Sequence, residues 1–195
     1  MRLAAWGVRR YVPLTLLLAS GGRQLKRRVV RQQRRIMIQF RLALAQWRLG
    51  RLRSAELPAL AGAALDRGLD SPALRQLAGL PASIDYEAVD LLRQVARELD
   101  IPIPDEREAL LALARSIARQ IVDGDVPPYD GARQIWGLCG GDYPEELLAF
   151  VDAASDMDDF MLHKLAKPDQ YEPLIAACEA DIRRAAQQLA KGVAA

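Results

Sequence analysis

Apolar residues recur along this chain at intervals near 3.6 far more often than they alternate, and the breaks between such runs fall at Gly, Pro, Ser and Asp. In the first clear run Leu25, Val29, Ile36, Phe40, Leu44 and Trp47 share one face, predicting a helix over 24–49 that stops at Gly50. Ser54 is a candidate cap for a second helix ending near Arg67, with Gly68 beyond its end. Ser71-Pro72 predicts a short third helix, with Pro at the first position where a missing N–H costs nothing, stopped by Gly79-Leu80-Pro81. Ser83 opens a helix to about Leu99.

Ile101-Pro102-Ile103-Pro104 reads as extended, because Pro pushes the preceding residue out of the α region. It is a candidate linker near 100–104 between two helical halves. Asp105 with Glu108 has capping-box spacing and predicts a helix to Asp123-Gly124. Pro127-Pro128 leads into the next, ended by Gly140-Gly141 after Cys139. Asp142 with Glu145 repeats the capping-box spacing ahead of another, and a last helix is expected from about Pro173 to Lys191. No strand pattern and no internal repeat emerges. The expected fold is all-α, a bundle of about seven helices with a basic N-terminal helical arm.

Composition agrees, since β-branched and aromatic residues are sparse beside Ala, Leu and Arg. Charge changes the picture more. The net charge of +2 conceals a partition. Met1 to Arg53 holds 14 Lys or Arg and no acid, whereas residues 54–195 hold 13 basic against 25 acidic residues, a net of −12. Such asymmetry implies an anionic partner for the arm, or docking of the arm on the acidic body.

Residues 1–36 admit three readings. Arg2, Arg9 and Arg10 precede an apolar run from Tyr11 to Ala19 and the small residues Ser20, Gly21 and Gly22, the outline of a signal peptide. Pro13 within the run and the dense cations of Arg23 to Arg35 behind it oppose export, and the run is far short of the ~20 residues that span a bilayer. An Arg-rich, acid-free transit peptide has a similar outline. Alternatively, Met37 opens an ordinary helical domain, 37–195, and a chain starting there would carry 17 positive and 25 negative charges. The expected location is cytoplasmic, with export as the alternative.

The helix beginning near Pro144 is the most patterned. Glu145, Asp152, Asp156, Asp159 and His163 fall within an arc of about 60° at 100° per residue, opposite Leu147, Phe150, Ala154, Met157, Met161 and Leu165. A row of carboxylates beside the single His can bind a cation or serve in acid–base chemistry. One helix cannot surround a metal, however, and no second set of ligands is identifiable, so no metal and no cofactor is assigned. The row is instead read as the solvated face and as the surface for a basic protein partner. Asp158 lies on the apolar side of this wheel, so either the helix breaks over 155–158 or Asp158 has a partner.

Two features support a nucleic-acid reading. Residues 63–80 resemble a helix-turn-helix: Ala64, Gly68, Leu69, Leu74 and Leu77 match its small, glycine and apolar positions. That resemblance implies a recognition helix with Arg75 and Gln76 available for bases or phosphates, while Arg67 departs from the pattern. In the arm, Arg23, Lys26, Arg27, Arg28, Arg31, Arg34 and Arg35 suit phosphates, and residues 23–53 equally suit an anionic membrane surface.

Cys139 and Cys178 are too few for a disulfide framework and have no metal-ligand spacing. They sit among apolar neighbours and read as small buried residues. No nucleophile–base pair is suggested by spacing. The leading expectation is a non-enzymatic helical interaction protein, with a nucleic-acid-binding regulator as the alternative.

Overall fold

The computed structural model describes residues 23–81, 85–165 and 167–192, with side-chain packing described from Ile36 onward. Every regular element among the described residues is helical. Helix α1 (Arg23–Arg48) is followed by a 3₁₀ turn (Ser54–Glu56), α2 (Leu57–Asp66), α3 (Pro72–Ala78) and α4 (Asp85–Glu98). After the extended stretch come α5 (Glu106–Asp123), α6 (Pro128–Leu138), α7 (Glu145–Lys164) and α8 (Pro168–Lys191).

Most boundaries follow from local chemistry. Ser71 caps α3 by accepting from the Leu74 N–H at 3.2 Å. The capping box of α5 is complete: Asp105 Oδ1 accepts from Glu108 N at 2.7 Å, and Glu108 Oε2 accepts from Asp105 N at 3.0 Å. That helix ends where Gly124 takes φ +81°, a left-handed conformation open to glycine at little cost.

Three boundaries depart from the expectation, each at a proline. Ser54 does not cap α2, which starts at Leu57. A helix capped by Ser54 would need the Pro58 N–H for its first hydrogen bond, and proline has none. Asp142 and Glu145 form no capping box either; α7 starts behind an extended Pro144. A box would have required a helical Tyr143, and Pro144 biases that residue away from the α region. Finally, α8 begins at Pro168 rather than Pro173, which lies inside it. Its early turns are held on α7 by Tyr171, whose ring is 5.9 Å from Phe160 and 5.6 Å from His163.

Buried side chains gather in two main clusters. Phe40, Leu44, Leu57, Leu74, Leu77, Leu92 and Val95 centre the first, from α1 to α4. Ala118, Ile135, Leu147, Phe150, Met157, Ile182 and Ala186 centre the second, from α5 to α8. Ala45 of α1 meets Ala109 and Leu113 of α5 between them. Burying a Leu or Phe side chain contributes about 1.5–3 kcal/mol, so these clusters dominate the fold.

Candidate interaction groove on the acidic helix

α7 runs unbroken through Ser155–Asp158, because Asp158 is partnered. Arg133 Nη1 on α6 lies 2.8 and 2.9 Å from its two carboxylate oxygens, and the Tyr129 hydroxyl donates to it. The Tyr129 hydrogen bond, then Arg133, holds the Asp158 carboxyl below its ordinary range, and the same hydrogen bond raises Tyr129. An acid on the apolar side of the wheel thereby becomes a clamp between two helices.

The opposite face is acidic as the periodicity implies. Glu145, Asp152, Asp156, Asp159 and His163 are all exposed. They do not share one environment, because α8 packs along α7 and divides them. Glu145 borders a groove of about 440 Å³ with Arg115, Gln188 and Gly192. Asp152 and Asp156 line the adjoining groove, about 430 Å³, which has Ala149, Ala153 and Ala185 as its floor. Both grooves share Ala149, Ala185 and Gln188, so they form one trough between the two helices. Asp159 and His163 lie beyond it, with His163 stacked on Tyr171.

From α8 the trough gains residues that the α7 pattern cannot reveal: Cys178, Asp181, Arg184 and Gln188. Asp181 is neutralised by Arg184 at 2.8 Å. Asp152 and Asp156 have no ion pair among the described residues, so two carboxylates face solvent above an alanine floor. The i,i+3 pair Asp181–Arg184 marks an exposed α8 face in the sequence, but nothing there shows that this face borders α7. Burial, with Asp156 and Asp181 adding to it, pushes the Cys178 thiol up, which disfavours the reactive thiolate. Burial likewise raises Cys139. Among the described residues no three His, Cys, Asp or Glu side chains converge in a way that could hold a metal ion.

The helix-turn-helix corner forms, with the turn at Gly68 (φ +95°) and Ala73, Leu74 and Leu77 buried on α3. Arg75 and the start of α3 are engaged within the fold. Arg75 grips Asp70 through Nε at 2.7 Å and Nη2 at 2.5 Å. Glu98 Oε2 accepts from the Ala73 N–H at 2.9 Å, placing a carboxylate where the helix start would otherwise meet a phosphate. Gln76 is exposed.

Arg23, Lys26, Arg27, Arg28, Arg31, Arg34 and Arg35 are in the N-terminal half of α1; their side chains lie outside the described residues. Residues 1–22 lie outside them entirely. No helix among the described residues is long and apolar enough to cross a membrane.

In comparisons with known proteins, no family model, curated protein sequence or solved structure matches this chain.

Proposed function

We propose that this chain is a non-enzymatic helical interaction protein whose α7–α8 trough captures a Lys/Arg-rich segment of a protein partner. The supporting observation is the pair Asp152 and Asp156, exposed and without an ion pair among the described residues, above a floor of alanines. Small side chains let another backbone approach closely, and unneutralised carboxylates above them favour cations. Electrostatic complementarity of this kind sets association rate and partner choice more than raw affinity.

Fluorescence anisotropy with a labelled Arg/Ala-rich helical peptide tests this on the full chain. Reversing Asp152→Lys and Asp156→Lys together is expected to weaken binding about ten-fold or more at low salt, roughly 1.4 kcal/mol. Equal affinity for both proteins would remove the trough from the account.

A nucleic-acid reading rests on the basic arm, since the 63–80 corner has Arg75 paired and a carboxylate at the α3 start. It predicts duplex binding that falls steeply with salt and disappears when Arg27, Arg28, Arg31 and Arg34 are replaced by Glu.

A further inference from the structure

At the α7–α8 turn the apolar stripe of α7 outruns the core. Met161, Leu162 and Leu165 are 47%, 75% and 95% exposed. Contiguous apolar surface of this kind marks an interaction site.

Ion pairs fix which end of the bundle this is. Arg48, ending α1, pairs with Glu106, starting α5, at 3.0 Å. Ala45 packs with Ala109 and Leu113, so α1 runs antiparallel to α5. Arg107 near the start of α5 pairs with Glu146 near the start of α7 at 2.6 Å, so α5 and α7 begin at the same end. The exposed tip of α7 is therefore at the end towards which the N-terminal half of α1 runs. At about 1.5 Å per residue, α1 is about 39 Å long and α7 about 30 Å, so α1 is long enough to span the length of α7.

The charges there favour the chain itself as occupant over an anionic surface. Asp123, Asp125, Asp130, Asp158, Asp159, Asp169 and Glu172 lie at this end against Arg119, Arg133, Lys164 and Lys167. Arg133 is paired to Asp158 at 2.8 Å and Lys164 to Glu172 at 3.5 Å, so acid is in excess there. Residues 23–35 of the approaching helix carry seven cations and no acid. Beyond them the sequence turns apolar at Tyr11 to Ala19, with Ser20, Gly21 and Gly22 between.

We infer that the apolar run 11–19 of this same chain covers Met161, Leu162 and Leu165, with the basic half of α1 guiding it to the acidic end of the bundle. The reach is sufficient. Twelve extended residues from Arg23 span at most ~40 Å, while the three helix spacings from α1 through α5 and α8 to α7 come to about 30 Å. The contact uses neither Asp152 nor Asp156, so it stands or falls separately from partner capture.

Disulfide trapping in the full chain tests it. In a Cys178→Ser background, with Cys139 buried, Leu14→Cys, Leu16→Cys or Leu17→Cys is combined in turn with Leu165→Cys and exposed to diamide. Because Leu165 is 95% exposed, its replacement leaves the core intact. At least one pair should close within the chain about ten-fold faster than the same first cysteine paired with Tyr86→Cys, an exposed site on α4. High salt should reduce that advantage. Equal closure rates at the two sites would overturn the inference. So would cross-links forming between chains, which would make a second copy the occupant. Absence of closure together with recruitment to phosphatidylserine-containing vesicles would overturn it in favour of a lipid surface.

Discussion

The two halves of this molecule are built from similar residues but differ in where their charged groups go. Between α1 and α4 the charges near the 63–80 corner are turned inward on the fold: Asp70 holds Arg75, and Glu98 holds the Ala73 N–H. Between α5 and α8, Asp158 is consumed in the same way by Tyr129 and Arg133. Asp152 and Asp156, on the opposite face of that helix, have no ion pair among the described residues. The difference teaches that a charged residue becomes evidence for function only once the fold's own claims on it are subtracted. By that criterion Arg75 is engaged within the fold by Asp70, whereas Asp152 and Asp156, without an ion pair among the described residues, are the residues on which the proposed partner contact rests.

Both halves should depend chiefly on burial, and the largest effect is expected where the larger side chains sit. Phe150 is fully buried at the centre of the second cluster. Phe150→Ala should lower stability by about 3–5 kcal/mol, read by urea denaturation. A loss below about 1 kcal/mol would mean that the second half is loosely packed and the comparison unsound.

Two glycines sharpen the contrast. A Cβ on Gly131 would lie 2.5 Å from Ile121 Cδ1 and Cγ1, so Gly131→Ala should cost about 1–3 kcal/mol by overpacking the α5–α6 contact. Gly62 in α2 has nothing within 4 Å of the same position. There the exchange to Ala should raise stability, by up to about 1 kcal/mol from helix propensity. Thermal denaturation of the pair checks both, and two changes of the same sign would contradict the packing described.

An effect of similar size to that at Gly62 belongs to the Asp158 clamp. Its carboxyl is held below the ordinary range in the folded chain, so its contribution is present above the unfolded-state value near 3.9 and fades as pH falls through the lower folded value. A charged hydrogen-bonded pair discounted for its partly exposed position is worth about 1 kcal/mol. Asp158→Asn should therefore be less stable by that amount at neutral pH. The difference should close in strong acid, as followed by denaturation at several pH values.

Much of the fold is legible in the sequence because its punctuation is local. Ser71, the Asp105–Glu108 box and Gly124 act through hydrogen bonds or backbone geometry within a few residues, and each ends or starts a helix where its chemistry requires. The departures arise where one proline overrules a polar signal. Pro58 displaces the cap expected of Ser54, and Pro144 displaces that of Asp142. The candidate site is only half legible. Periodicity places Glu145, Asp152, Asp156, Asp159 and His163 on one face, but not that α8 would divide them or that Tyr171 would stack on His163. The trough needs Ala185, Gln188 and Asp181, roughly thirty residues further on, and helix-to-helix contacts at that separation leave no local trace.

Residue-resolved NMR of the full chain, titrated with the Arg/Ala-rich peptide at low salt, tests partner capture most directly. The account predicts that the largest shifts map to Asp152, Asp156, Asp181 and Gln188, and that they fade as salt is raised. Shifts concentrated on α3 or α4, with the α7–α8 trough unmoved, would contradict it.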